Sequence, residues 1–283
     1  MPSLEQITDI ARRSKLWDWH IPALHSLFNR VDVRGRRVLE IGGSNLPRSL
    51  THELLGARAW VAIDRLWDER LLSLRAEHYG RERMVALEAV RDDDLEEDYL
   101  ILRGRAEDIP PLLHGRFDCA VSIAAFEHVD DLALCLDNVR RCLTEPGWFA
   151  ALFGPIWSGH EGHHTPPFER ADGSWHRWNS TNRLPSWSHL LYEPDELAAI
   201  LHQRGVPEDV IVTTLQHVSR SPAINRLMFE DYMRIFSAAR FRVVELEKTW
   251  YFEPQPETQR RLMERHPPYR EFSTCAAYVR LGT

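Results

Sequence analysis

The sequence of 283 residues has no apolar run that approaches the roughly 20 residues needed to cross a bilayer. The segment MPSLEQITDIARRSKLW at its start lacks the apolar stretch of a signal peptide. There are 4 cysteines, and their spacing forms neither a disulfide framework nor a cysteine metal motif. We therefore expect a cytoplasmic chain with no membrane partner and with reduced, mostly buried cysteines.

The sequence also has fewer basic residues than acidic ones. Lysine and arginine total 35 against 42 aspartates and glutamates, which gives a formal net charge of −7. This balance gives no overall electrostatic support for binding a nucleic-acid backbone. With 43% hydrophobic and 27% charged residues, the composition excludes a disordered or fibrous chain. The length allows one large domain or two ordinary ones.

Short apolar runs alternate with helical patterns through the first half of the chain. The runs cover 37–41, 59–63, 99–102, 118–123 and 148–153, and the helical patterns cover 50–55, 69–78 and 132–143. Alternating elements whose strands are almost wholly apolar indicate a parallel sheet covered on both faces. Two closing strands, 242–252 and 273–281, complete the prediction of an α/β fold with a doubly wound, seven-stranded, mostly parallel sheet.

The segments flanking this pattern differ in composition. Residues 4–29 read as an amphipathic helix that Pro22 splits in two. Residues 155–189 are rich in Gly, Pro, Ser, His and Trp and have no sustained period, which predicts a loop or irregular cap. Helical spacing returns at 194–205 and 224–239. We expect an N-terminal helical lid at 1–29, a core at 30–154, a cap insertion after strand five at 155–224, and the rest of the core at 225–283.

The sharpest motif is Val38-Leu-Glu-Ile-Gly-Gly-Ser44, which is followed by Asp64. Glycines directly after a strand permit a tight turn that brings backbone N–H groups against a ligand. A carboxylate about 20 positions later, at the tip of the next strand, suits the hydroxyls of a ribose. Dinucleotides use the same arrangement, although a Gly-x-Gly-x-x-Gly fingerprint is absent. The motif alone could also be a strand-to-helix turn and a helix cap.

Several further segments occur in a fixed order along the chain. They are Ala62-Ile-Asp64, Gly104-Arg-Ala-Glu-Asp-Ile-Pro110, Phe117-Asp-Cys-Ala-Val-Ser122, Phe126-Glu-His-Val129 and Arg141-Cys-Leu-Thr-Glu-Pro-Gly147. Together with the glycine motif they resemble the class I S-adenosylmethionine (SAM)-dependent methyltransferases, most closely the broad small-molecule branch known as type 11. The resemblance covers about residues 35–155 and implies a Rossmann-like fold.

The resemblance implies SAM as the cofactor and a role for each matching position. Glu40 and the turn of Gly42, Gly43 and Ser44 would cradle the methionine part, and Asp64 would bind the ribose hydroxyls. Ala106, Glu107 and Asp108 would lie by the adenine, and Ile123 and Ala124 would line the methionine and methyl-donor region. Arg105 stands where the family commonly has aspartate, so the adenine amino group needs another acceptor, for which Glu107 is a candidate.

Methyl transfer to a hydroxyl usually needs a base, and histidine is the natural choice near neutral pH. Two histidine-bearing segments follow predicted strands: His128 after the fourth, and His160, His163 and His164 after the fifth. The alternatives are packing beneath the cofactor for His128 and a solvated loop for the other three. A divalent metal held with the help of Glu127 and Glu161 is a further possibility, but the spacing is not that of a zinc site, and we do not predict one.

Four tryptophans accompany these histidines in 155–189, and clustered indoles suit a flat or ring-shaped acceptor. They could instead fill the core of a small cap. We expect methylation of a small-molecule hydroxyl, on a sugar or an aromatic compound, without a nucleic-acid partner and with a homodimer possible. The alternatives are an N-methyltransferase for a small amine, a non-catalytic SAM-binding sensor or scaffold, and a nicotinamide-dependent oxidoreductase.

Overall fold

A computed structural model describes residues 2–16, 18–42, 46–65, 83–179 and 182–283. Eight strands form the main sheet in the order β3-β4-β2-β1-β5-β6-β10-β9, and β7 and β8 form a separate two-stranded sheet. The strands are β1 Arg37–Ile41, β2 Ala59–Asp64, β3 Arg83–Ala86, β4 Tyr99–Arg103, β5 Phe117–Ile123, β6 Leu143–Phe153, β7 Phe168–Glu169, β8 Trp175–His176, β9 Arg242–Tyr251 and β10 Thr274–Gly282.

The predicted α/β class is confirmed, because strands β1 to β6 pair in parallel. The predicted count of seven strands is wrong, since the main sheet has eight. The missed strand is β3, a four-residue edge strand whose Met84 is 40% exposed. A short, half-exposed edge strand has too few apolar residues to stand out in a sequence.

Helices follow the predicted periodicity in most places. They are α1 Leu4–Arg13, α2 His20–Phe28, α3 Leu132–Cys142, α4 Ser188–Leu191, α5 Pro194–Gln203, α6 Glu208–Arg220, α7 Phe229–Ala238 and α8 Pro256–Arg265, with a short π-helix at Ser49–Leu54. The N-terminal helix is interrupted as predicted, but the break lies before α2 and Pro22 sits in the first turn of α2, where proline is tolerated. The predicted helix 69–78 lies outside the described residues.

Besides the four-residue α4, the longer helices α6 and α8 are absent from the sequence prediction. Helix α6 is rich in β-branched residues, which have a lowered helix propensity. Helix α8 is almost wholly polar, and Leu262 is its fully buried apolar residue. The described part of segment 155–189 is irregular as predicted, apart from the β7–β8 pair and the beginning of α4.

The chain divides into two compact units. The first contains 1–153, 235–247 and 278–283, and the second contains 154–234 and 248–277. The predicted cap segment 155–224 lies within the second unit, which also includes 248–277.

Each unit has its own apolar core. In the first unit, strands β1, β2, β4 and β5 pack against α1 and α2 through residues such as Leu24, Trp60 and Val121. In the second, one cluster forms around Trp187, Leu262 and Phe272, and another around Leu197, Leu201 and Ile211.

All four cysteines are buried and none forms a disulfide. Among the described helices, none combines the length with the apolar composition that a bilayer crossing requires.

Candidate functional site

The bend after β1 is built around Gly42. Its φ of +60° lies in the left-handed region that glycine adopts without penalty. Its N–H donates a 2.7 Å hydrogen bond to the carbonyl of Ile63, the residue before Asp64. A Cβ added here would lie 2.6 Å from the Cβ of Ala125, so the bend packs directly against the chain after β5. Glycine is therefore required at this position, because any other residue would strain the backbone and its Cβ would collide with Ala125. Gly43 and Ser44, the rest of the predicted turn, lie outside the described residues.

Asp64 ends β2 beside this bend. Strands β1 and β2 pair in register, with Ile41 opposite Ile63, so Gly42 and Asp64 leave the sheet side by side. On the other side of β2, Asp64 lies opposite Arg103, and its carbonyl accepts a hydrogen bond of 2.9 Å from the N–H of Gly104. The carboxyl ends of β1, β2 and β4 thus meet at one edge of the sheet, where open α/β sheets bind ligands.

Ile123 and Ala124 close the same edge from β5. Ile123 is the last residue of the strand and is buried, and the N–H of Ala124 donates to the carbonyl of Leu152 at 2.8 Å. Ala124 has a φ of +48°, a conformation uncommon outside glycine and frequent at functional sites. The hydroxyl of Ser122 donates to the carbonyl of Ile41 at 2.9 Å and so fixes the ends of β5 and β1 to each other.

Glu40 is buried within the sheet, with 1% of its surface exposed. One carboxylate oxygen, Oε2, accepts a 2.7 Å hydrogen bond from Nε1 of Trp60 on the neighbouring strand. Burying a carboxylate is costly unless hydrogen bonds satisfy it. The indole of Trp60 supplies such a bond, and the sequence analysis did not identify this partner.

The turn after β4 carries Ala106, Glu107 and Asp108 as one short 3₁₀ helix. Ala106 and Glu107 are buried, whereas the Asp108 side chain is 67% exposed and lies 3.7 Å from the guanidinium of Arg105. The carbonyls of Ala106 and Glu107 accept hydrogen bonds from Nδ2 of Asn138, at 3.3 and 2.7 Å. Helix α3 therefore holds this turn in place.

The structure thus brings the described SAM-site candidates to one edge of the first unit, in neighbouring strand ends. The groups that sequence reasoning missed there are Trp60, Arg65, Asp130 and Asn138. Each of these residues lies within a predicted strand or helix or within two residues of one, but the pairs that they form depend on tertiary packing.

His128 belongs to the same unit. It ends the short 3₁₀ helix Phe126–His128 after β5, and its N–H donates to the carbonyl of Ala125 at 2.8 Å. Its side chain is partly exposed, in contrast to that of the preceding Glu127, which is 1% exposed. Among the predicted catalytic histidines, His128 is the one within the first unit.

His160, His163 and His164 all lie in the second unit. His160 is 4% exposed, and its Nδ1 is 3.1 Å from the Sγ of Cys275. Its ring packs 4.6 Å from that of Phe252, centroid to centroid. Burial lowers the pKa of His160, and burial raises the pKa of the Cys275 thiol to about 11. Both groups are therefore neutral at pH 7.

His163 is likewise interior, with 7% exposed. Its Nδ1 accepts a 3.2 Å hydrogen bond from the N–H of Thr165, and its ring lies edge-on to that of His189 at 5.8 Å. Burial, followed by the neighbouring histidines, lowers the pKa of His163 well below its ordinary value. Burial also lowers the pKa of His189 to about 4. His164 has a φ of +46° and its carbonyl accepts from Nε2 of His217.

The tryptophans of 155–189 divide between the interior and the surface of the second unit. Trp187 is 3% exposed and its indole donates to the carbonyls of Ser158 and Phe272. Trp178 donates to the hydroxyl of Thr214 at 3.1 Å. Trp175, by contrast, is 62% exposed. Trp187 therefore serves the core of this unit, while Trp175 is accessible to a ligand.

A metal centre has little support in the described part of the chain. No group of three or more His, Cys, Asp or Glu side chains there is arranged to hold a metal ion.

Part of the chain matches a known protein family, and its fold is similar to that of solved structures. A family model described as a methyltransferase domain matches residues 76–151. The SAM-dependent methyltransferase of Mesorhizobium loti has 15% identity, covers 93% of this chain and 97% of its own, and has a TM-score of 0.50. That likeness shows the fold.

Two other solved structures are similar to the chain. A protein of Listeria monocytogenes assigned as a SAM-dependent methyltransferase has 14% identity, 92% and 96% coverage of this chain and its own, and a TM-score of 0.48. The 1,6-didemethyltoxoflavin-N1-methyltransferase of Burkholderia thailandensis, solved with that compound and S-adenosylhomocysteine, has 13% identity, 93% and 76% coverage and a TM-score of 0.43. No curated protein matches the chain.

Proposed function

We propose that the chain carries a class I SAM-dependent methyltransferase domain and transfers the methyl group of SAM to a hydroxyl of a small molecule. One observation carries the cofactor assignment. The Gly42 bend is hydrogen-bonded to the residue preceding Asp64, so a tight turn and a carboxylate leave adjacent strands together. That pairing suits a ligand with an amino-acid tail on one side and a ribose on the other.

The described residues fit SAM by their chemistry. The Asp64 carboxylate would accept hydrogen bonds from the two ribose hydroxyls, and the chain at Gly42 would face the methionine part. The absence of a side chain at Gly42 lets this bend approach the chain at Ala125 closely. SAM, when bound, supplies a methyl group on a positively charged sulfur. Ala106 and Asp108 would border the adenine, and Ile123 and Ala124 the methyl-donor region.

In a direct transfer of the methyl group from SAM to the acceptor, the protein aligns the two reactants and shields the site from water. A hydroxyl acceptor must also lose its proton, and we propose His128 as the first candidate for that base. It follows Ala124 and Ala125 at the edge that carries the cofactor residues, and it is partly exposed. His160 and His163 are less suited, because both are buried.

For the acceptor we propose an aromatic alcohol or a sugar, on the basis of the side chains of the second unit. Support comes from the aromatic rings that this unit exposes, including Trp175 at 62%, Trp250 at 40% and Tyr251 at 63%. Flat aromatic surfaces with a polar atom stack well on such rings. The same rings would also suit a planar amine, which keeps N-methylation as an outcome to be tested.

The test is a transfer assay with methyl-labelled SAM and a panel of hydroxylated aromatics, sugars and small amines. We expect labelled methyl ethers from one or more hydroxylated compounds. Label found exclusively on amine nitrogen would contradict O-methylation and leave the methyltransferase assignment intact. Binding of SAM without transfer to any compound of the panel or of a cell extract would instead support the sensor alternative.

A further inference from the structure

Glu107, expected to accept from the adenine amino group, has one carboxylate oxygen engaged by the protein itself. Its side chain is 3% exposed. Oε1 accepts hydrogen bonds from two consecutive backbone N–H groups, those of Asp130 at 3.0 Å and Asp131 at 3.2 Å. A carboxylate that contacts an adenine ring must present an oxygen to the cleft, and this one is buried among the loops that border the cleft.

Two arginines also lie beside this carboxylate. Nη2 of Arg65 lies 3.5 Å from Oε1 of Glu107, and Nη2 of Arg105 lies 3.3 Å from it. The same two Nη2 atoms lie 2.6 and 3.2 Å from Oδ2 of Asp130. Among the described residues, two guanidinium groups therefore link these two carboxylates in one network, and Arg105 also lies 3.7 Å from Asp108. Charge-assisted hydrogen bonds of this kind are stronger than neutral ones.

The partners of Glu107 lie in three loops at the carboxyl edge of the sheet. Arg65 follows the proposed ribose ligand Asp64 after β2, and Arg105 precedes the turn after β4. Asp130 and Asp131 follow β5, and the Asp131 side chain caps α3 by accepting from the N–H of Leu134. Glu107 thus connects three loops, and each of them adjoins a proposed SAM contact: Asp64, Ala106 or Ala124.

We propose that Glu107 is a positioning residue that holds these three loops in the arrangement that binds SAM, and that it does not contact the adenine. This inference rests on the proposed function, because it assigns a role within the same cofactor site. Its loss leaves two backbone N–H groups and two guanidinium groups without their shared acceptor. The loops bearing Asp64 and Ala106 are then free to move, and the affinity for the whole nucleoside falls.

The experiment compares two ligands, S-adenosylhomocysteine and its analogue that carries purine without the 6-amino group, by isothermal titration calorimetry. In Glu107→Ala we expect the Kd of both ligands to rise by the same factor, on the order of tenfold. Glu107→Gln keeps an oxygen that accepts from both backbone N–H groups, so it should restore most of the affinity. Glu145→Gln, which removes an exposed ion pair with Arg140 elsewhere in the unit, is the matched control and should bind like wild type.

A second readout requires no ligand. Amide hydrogen exchange at Asp130, Asp131 and Leu134 should accelerate in Glu107→Ala and return towards wild-type rates in Glu107→Gln. A loss of affinity confined to the ligand with the amino group would overturn the inference, because it would show direct contact with adenine. Unchanged Kd values in Glu107→Ala would overturn it as well. If wild type binds neither ligand, the proposed function itself fails, which the other outcomes do not imply.

Discussion

The carboxylate of Glu40 accepts a 2.7 Å hydrogen bond from the indole nitrogen of Trp60, and both side chains are buried in the first unit. Glu40 lies two residues before the Gly42 bend, so this bond fixes the end of β1 against β2 from inside the sheet. The acidic residue of the motif is therefore a structural element of the bend as well as a proposed neighbour of the cofactor.

Replacing Trp60 by phenylalanine should destabilise the first unit. The variant Trp60→Phe retains a large apolar ring but removes the donor, which leaves a buried carboxylate oxygen without this bond. The expected cost is about 1–3 kcal/mol in the free energy of unfolding, measured by urea denaturation. Trp148→Phe is the control, since Trp148 belongs to the same core. Equal losses in the two variants would show that the Glu40 hydrogen bond contributes nothing.

Gly42→Ala should weaken SAM binding, because the added Cβ collides with Ala125 in addition to straining the backbone. Gly42 and Gly115 both have a positive φ, at 60° and 66°, so both alanine variants incur the left-handed penalty of about 1 kcal/mol. A Cβ at 42 would also meet Ala125 at 2.6 Å, whereas a Cβ at 115 has nothing within 4 Å. Calorimetric titration should show reduced SAM affinity for Gly42→Ala alone. Equal affinity in both variants would exclude the bend from the cofactor site.

The buried histidines of the second unit should make it sensitive to acid. The folded-state pKa of His189 is lowered to about 4, and that of His163 is also lowered, both chiefly by burial. Unfolding exposes these rings, which then bind protons below about pH 6.5. Stability is therefore unaffected above that pH and falls as the pH drops from 6.5 towards 4. The slope is up to about 1.4 kcal/mol per pH unit for each residue.

Hydrogen exchange of peptides from 154–234 at pH 7 and pH 5, corrected for intrinsic rates, measures this effect. His189→Gln should reduce the difference between the two pH values. The matched control is His202→Gln, because the His202 side chain is 53% exposed. Protection that is equal at both pH values in wild type would contradict the assignment of buried neutral imidazoles.

His128 and His163 should respond differently to substitution. His128→Ala should lower kcat by about 10²–10⁴ with little change in the Kd for SAM, as expected for loss of a general base. His163→Gln should instead lower the thermal midpoint, because a buried ring and its bond to Thr165 are removed. Full turnover in His128→Ala would rule out this residue as the base.

The sequence predicts those structural features that a single strand or motif determines. The parallel order of the first strands, the Gly42 bend beside Asp64 and the resemblance to class I methyltransferases were predicted from local patterns, and the fold and family resemblance are confirmed. The strand ends meet because parallel neighbours place their carboxyl ends at one edge. No tertiary information was needed for that conclusion.

The partners of the buried groups could not be predicted, because they depend on packing between distant segments. Trp60 follows Glu40 by 20 positions, and Asp130 follows Glu107 by 23. Nothing in the sequence near Glu107 distinguishes a residue that binds a ligand from a positioning residue that holds loops together. The burial of its side chain, which favours the positioning role, depends on the tertiary structure. The role of each histidine after β6 likewise depends on which ring nitrogen is engaged inside the second unit.

The most direct test of the account is calorimetric titration of SAM into wild type and into Asp64→Ala. Asp98→Asn, which removes an exposed carboxylate paired with Arg48, is the control. We predict that wild type and Asp98→Asn bind SAM alike, and that Asp64→Ala, while still folded by circular dichroism, binds at least about tenfold more weakly. Equal SAM affinity in all three proteins would contradict the placement of the nucleoside at the end of β2.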